Sequence, residues 1–294
     1  MAIKVGKESV NNFKLYQGVA ALNIIAVNPT RKELEKLQGR EIDVEPEYVS
    51  KNEEGQSVVR VTFYAKVNPD VADNNGVSMN ISFSFQLTKA PVVGSQSGKI
   101  QIVDKYGRFA WATKDDIDNK AIPQYANGPA NISEGYREAY KGEQSLIEFL
   151  INWLNIPNPM DYNQKEKKWT MKKDPSDSEI SLDMDALFKG NLTEIKEVVS
   201  IAEKHLVKAA IGIRSNDEGK QYQAVYTGMF VKNAVTNYSK LDASIANYMS
   251  NTTSNVEFSV EPIHEHKVQA TSFTPSGGSE DNQEEMPVND SPWD

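Results

Sequence analysis

Val58–Val67 reads VVRVTFYAKV and Ser78–Lys89 reads SMNISFSFQLTK. In the first stretch Val59, Val61, Phe63, Ala65 and Val67 share one parity, and Arg60, Thr62, Tyr64 and Lys66 share the other. In the second, Met79, Ile81, Phe83, Phe85 and Leu87 alternate with Ser78, Asn80, Ser82, Ser84, Gln86 and Thr88. Successive side chains leave a pleated backbone on opposite sides, so a period of two marks a strand with one buried and one wet face. The turn-rich NPDVADNNG between them predicts an antiparallel pair.

Outward from this pair, GVAALNIIAV (18–27) is a buried-strand candidate, stopped by Asn28-Pro29-Thr30. Thr30 can N-cap a helix over Arg31–Leu37, with Glu33 completing a capping box and Gly39 ending it. Lys99–Val103 and Arg108–Thr113 predict a hairpin around Asp104-Lys105-Tyr106-Gly107. Residues 115–190 are polar with helical pieces: Ser133–Tyr140, and Gln144–Leu154 with Leu146, Phe149, Leu150 and Trp153 on one stripe. Another amphipathic helix is expected over Asn191–Leu206. Val207–Arg214 and Gln221–Val231 then flank a hairpin loop at Ser215–Gly219, followed by a helix over Lys240–Met249 and a strand near Val256–Val260.

The order is strands, helical block, strands, with no interleaved units that would build a parallel sheet. The fold class is mainly β with a helical insertion (α+β), as an antiparallel OB-like barrel. An OB barrel carries its helix before the fourth strand, the place held here by residues 115–206. Residues 1–260 are therefore expected to form one elaborated body, a separate helical lobe being the alternative. From Glu261 the chain becomes rich in Ser, Gly, Pro and acids, and 261–294 is expected to be a disordered acidic tail.

The chain has 294 residues and no cysteine, which excludes disulfides and cysteine-held metals. Met1–Lys7 lacks the apolar core of a signal peptide, and Val19–Val27 is too short to span a bilayer. A cytoplasmic protein without a membrane partner is expected. The formal charge of −9 is unevenly spread: Glu280, Asp281, Glu284, Glu285, Asp290 and Asp294 have no basic neighbour, and removing these six acids from −9 leaves −3. A near-neutral body can still carry a basic groove.

Catalytic signatures are absent: there is no nucleophile elbow, phosphate-binding Gly-rich loop or H-E-x-x-H. His205 ends a predicted helix. His264 and His266 flank Glu265, two exposed ligands where a structural metal needs about four. Asp115, Asp116 and Asp118 read as a solvated turn more readily than as a nuclease metal site. A non-enzyme without cofactor or metal is the expectation.

Single strands are held by a cationic groove with aromatic faces for base stacking. Lys105, Tyr106, Arg108, Phe109, Trp111 and Lys114 interleave cations with aromatics on the first hairpin; Phe109 and Trp111 either pack inward or face a ligand. Arg60, Tyr64 and Lys66 line the wet face of the clearest strand. Arg214, Lys220, Tyr222 and Tyr226 form a third candidate, in which the tyrosines share parity with Phe230 and at least one belongs to the core. Residues 280–294, EDNQEEMPVNDSPWD, set acids before a proline and a terminal aromatic. Glu284, Glu285, Asp290, Pro292, Trp293 and Asp294 suit capture by a basic, apolar pocket on a partner, or competition with nucleic acid for the protein's own groove.

The tail resembles those of bacterial and phage single-stranded-DNA-binding proteins, which end in acids followed by an aromatic. Asp290-Ser291-Pro292-Trp293 is similar to the bacterial Asp-Ile-Pro-Phe ending, with Asp294 following the aromatic. GVAALNIIAVNPTRKELEKLQG (18–39), LINWLNIP (150–157) and AAIGIRSNDEGKQYQAVY (209–226) resemble segments of large phage replication proteins of this type. The resemblance implies an OB fold, sequence-independent coating of single strands in replication and recombination, and recruitment of replication proteins through the tail. The zinc site of some phage relatives has no counterpart here. A phage structural or packaged protein without nucleic-acid affinity, and a metal-dependent nuclease using the acids, are the rival readings.

Overall fold

The computed structural model describes residues 14–95, 97–103, 108–118, 137–156, 160–163, 168–171 and 183–266. Along the chain run β1 (Tyr16–Val27), α1 (Arg31–Gln38), β2 (Val49–Lys51), β3 (Ser57–Val67), β4 (Met79–Pro91), β5 (Ile100–Val103), β6 (Phe109–Ala112), α2 (Lys114–Asp118), β7 (Arg137–Glu138), β8 (Tyr140–Lys141), α3 (Glu143–Trp153), β9 (Met160–Asn163), β10 (Lys168–Met171), α4 (Met184–Phe188) and α5 (Thr193–Ile201). They are followed by β11 (Leu206–Ser215), β12 (Gln221–Val225), β13 (Val231–Lys232), α6 (Ser239–Asn251), β14 (Val256–Phe258) and β15 (His264–Glu265).

The main sheet curls into a half-barrel, ordered β12-β11-β1-β3-β4-β8 and antiparallel throughout this path. β12 also approaches β4, so the two flanks of the curl turn toward each other. β5, β6 and β7 form a separate three-stranded sheet.

The alternation of β3 and β4 gives this sheet one face toward the core. Val59, Val61, Phe63, Ala65 and Val67 face Leu87, Phe85, Phe83, Ile81 and Met79 in register and point inward, all but the half-buried Met79 buried. α3 plugs this interior. Phe149 sits 4.7 Å from the Phe63 and Phe230 ring centres, 5.3 Å from Phe83, 5.4 Å from Phe85 and 5.7 Å from Trp153. Burying each large apolar side chain contributes roughly 1.5–3 kcal/mol. Met184, Leu187 and Phe188 of α4 and Ile195 and Val198 of α5 extend the same core.

From Val19 to Leu22, β1 is apolar on both parities because both its faces are covered there. Leu22 and Ile24 join the main core, while Val19 joins Ala210, Tyr226, Leu241 and Ile245 in a second cluster beneath α6.

Several expectations are corrected. Where a helix was expected over Ser133–Tyr140, the described part forms β7 and β8, since paired backbone to β5 and β4 outweighs weak helical spacing. The block 115–206 mixes short strands with helices. α5 stops at Ile201, and β11 begins at Leu206. Gln221–Val231 is broken after Val225, and β13 returns to β11 at Val207 and Lys208. The chain also stays in the body past 260: Ile263 is fully buried and β15 pairs with the start of β1. Gly18, at φ 121°, permits this crossing, since a Cβ there would lie 2.6 Å from the Glu261 carbonyl oxygen.

Candidate nucleic-acid interface

Arg60, Thr62, Tyr64 and Lys66 stand on the outer face of β3, opposite Gln86, Ser84, Ser82 and Asn80 of β4. Arg60, Lys66, Asn80, Ser84 and Gln86 are exposed, and Tyr64 and Ser82 half-buried. Thr62 and Ser84 join hydroxyl to hydroxyl at 2.8 Å. The β4 side is thus a low polar floor, above which the two cations and the tyrosine rise. Arg60 and Lys66 form no ion pair among the described residues, and six strand residues put their Cα atoms about 20 Å apart.

The loop from β1 to β3 is anchored beside this face by Asn28, which is buried with φ 40°. Its Nδ2 donates to the Arg60 carbonyl at 3.0 Å, and its Oδ1 accepts from the Thr62 N–H at 2.6 Å. This side-chain amide carries the β1–β3 ladder past the end of β1. α1 then starts with both bonds of the expected Thr30–Glu33 capping box and ends on Gly39 at φ 67°. Tyr48 donates its hydroxyl to the Pro29 carbonyl at 2.8 Å, and the Arg60 N–H bonds the Tyr48 carbonyl at 2.8 Å.

Burial pushes the Tyr64 phenol up, and burial with the neighbouring Tyr64 and Glu45 pushes the Tyr48 phenol up against the opposing Arg60 charge. Both remain neutral donors through the physiological range. Tyr48 escaped the sequence reading, since nothing local marks a lone tyrosine in a loop. Only the ladder beyond β2 brings it to Arg60.

The hairpin residues sit elsewhere, on the β5–β6–β7 sheet. Trp111 is 43% exposed and its ring lies against Gly94. Lys114 is exposed at the start of α2. Arg108, one of the hairpin's candidate cations, is 8% exposed and engaged within the protein. It shares parity with Ala112, which is fully buried, so the small side chains of β6 rather than its aromatics define the inward face. Lys105 and Tyr106 lie outside the described residues, as do Glu284, Glu285, Asp290, Pro292, Trp293 and Asp294.

In the third candidate, Tyr226 and Phe230 are buried, whereas Tyr222 is half-buried with the Lys220 ammonium 5.4 Å from its ring centre. Trp153 is core and donates to the His205 carbonyl at 3.3 Å. Asp116 closes a cap: its carboxylate accepts from the Thr113 N–H at 2.9 Å, and these Thr113 bonds hold its pKa below the usual carboxylate value. Among the described residues no group of three or more His, Asp or Glu is placed to hold a metal, and no helix is long and apolar enough to cross a membrane.

No protein-family model, curated protein or solved structure matches the chain.

Proposed function

We propose that this chain binds single-stranded DNA without sequence selection, as a replicative phage-type binding protein of OB class, along the outer face of β3 and β4. The observation that carries the proposal is the row Arg60–Tyr64–Lys66 standing over the floor of Asn80, Ser82, Ser84 and Gln86. Two separated cations suit successive regions of a phosphate backbone, and the ring between them suits a base.

Strand order supports the same reading. With β1, β3, β4, β11 and β12 counted as strands one to five, the sheet runs 5-4-1-2-3 with β8 at the far edge, and α2 to α5 fall between strands three and four. We read that path as a partly open OB barrel, in which the face of strands two and three, with the loops joining one to two and four to five, takes oligonucleotides. Here those loops carry α1 and the turn bearing Lys220. Trp111 and Lys114 offer a second contact on the side sheet, and the acidic tail is read as the recruiter of replication proteins.

Fluorescence anisotropy of labelled oligo-dT, with a duplex of equal length as control, tests the proposal. Tight binding to the single strand that weakens with salt is expected. An absence of binding at low salt, with and without residues 267–294, overturns it in favour of a structural protein.

A further inference from the structure

Where the end of α1 meets the outer face of the sheet, Ile25, Leu37, Gln38, Arg40, Tyr64 and Asn80 line a pocket of about 260 Å³. Its apolar wall originates in the strand register. β1 pairs with β3 as Ile24↔Ala65 and then Ala26↔Tyr64, which leaves Ile25 as the extra residue of a bulge. A bulge re-aims one side chain, and such irregularities gather beside functional sites. Ile25 is turned outward and is 39% exposed, while Leu22, Ile24 and Val27 on the same strand are buried.

The polar groups are arranged differently. Gln38 accepts from the Arg40 Nε at 2.9 Å through its carbonyl oxygen, which leaves its amide N–H groups without a partner among the described residues. The Asn80 amide makes no hydrogen bond among the described residues. Two aliphatic side chains, a half-buried phenol ring and two amides are the chemistry that holds a planar heteroaromatic ring with donors and acceptors on its edge. The volume falls below the roughly 300–1,000 Å³ of sites for drug-sized ligands, which suits one base rather than a dinucleotide. Tyr64 contributes to this pocket and stands two residues from Lys66 on the same face, so a base held there keeps its phosphates near that cation.

We propose that the pocket is a nucleobase subsite. One base of the bound strand turns off the sheet and enters between Ile25 and Leu37 against Tyr64, with its edge toward the amides of Asn80 and Gln38. The inference rests on the single-strand reading of the β3–β4 face. An amide presents a donor and an acceptor side by side, which the edge of any unpaired base can meet, so discrimination comes from the walls: a purine offers a larger face to Tyr64, Ile25 and Leu37 than a pyrimidine does. The subsite therefore adds a preference for a purine over a pyrimidine at one position to otherwise sequence-independent binding. Because the contact is uncharged, it contributes equally at all salt concentrations.

The test compares oligo-dA and oligo-dT of one length, by anisotropy at several salt concentrations, for the full chain and two variants. Leu37→Trp fills the pocket and leaves both β3 cations in place; Asn80→Leu removes an exposed amide. Leu37→Trp is expected to weaken oligo-dA binding roughly tenfold, a single stacked base's worth, with the salt slope unchanged. Asn80→Leu is expected to weaken the binding of both oligo-dA and oligo-dT severalfold, with the salt slope unchanged, because it removes the hydrogen bonds to the base edge. If wild type binds both strands and a natively melting Leu37→Trp binds them equally well, the subsite is overturned while the single-strand reading stands. Should Leu37→Trp not fold, unchanged affinity of Asn80→Leu for both strands overturns it alone. Failure of wild type to bind either strand overturns both readings together.

Discussion

Replacing Arg60 and Lys66 together with alanine puts a number on the β3–β4 face. The two side chains are exposed and stand on one strand face, about 20 Å apart at the backbone. At that separation they cannot share a phosphate, so the double variant loses two phosphate contacts. For single strands each contact contributes about 0.7 to the slope of log K against log salt, so the slope should flatten by about 1.4. Raising salt fourfold, from about 50 to 200 mM, should then shrink the wild-type advantage about sevenfold. Each single variant should shrink it about 2.6-fold on the same arithmetic. The assay is anisotropy of a labelled oligo-dT across that range. Neither residue belongs to the buried core, so melting should be unchanged. A double variant with the wild-type slope would refute the placement of phosphates on this face, whatever its absolute affinity.

Other consequences concern stability. Phe149→Ala, at the centre of the aromatic cluster, should cost about 3–5 kcal/mol in urea unfolding, the range for a buried aromatic whose cavity cannot fully collapse. Gly142→Ala should cost at least about 1–2 kcal/mol by the same assay: its φ is 83°, and a Cβ would collide with the Gln86 carbonyl oxygen. The bond from the Thr30 backbone N–H holds the Glu33 carboxyl below its ordinary value of 4.5, helped by the Thr30 hydroxyl and Lys196. A lowered folded pKa adds stability above the unfolded value and loses it as pH falls through the folded one. The melting-temperature gap between wild type and Glu33→Ala should therefore be full above about pH 5 and close as the solution is acidified below pH 4.

The parts of this fold legible in the sequence were those in which one short-range rule meets no competitor. β3 and β4 alternate cleanly because one face of each is core and the other is open. The α1 cap is written in four consecutive residues and formed as written. The stripe Leu146, Phe149, Leu150 and Trp153 fell where helical spacing placed it, fully inside. The failures arose where distant backbone set the environment. Arg108 is charged, yet it follows the parity of Ala112 into the interior. Ile263 is one aliphatic residue among polar neighbours, with no period to reveal that it closes over β1. Of the candidate interface, the β3 face was visible from alternation. Tyr48 and the pocket around Ile25 depend on a ladder through Asn28 and on a one-residue bulge, and neither leaves a local mark.

The pairing of β15 with β1 also determines how the body yields to load. The Leu15 carbonyl accepts from the His266 N–H at 2.7 Å, and Lys14 reaches Glu265 at 2.8 Å. The strands entering and leaving the body therefore lie side by side, antiparallel, at one end. Tension applied through the two ends acts on that pair as on the open end of a zipper, one rung at a time, rather than shearing many rungs at once. The short strap over Gly18 should peel away at low force, while β3 and β4, lying outside the direct load path, remain paired.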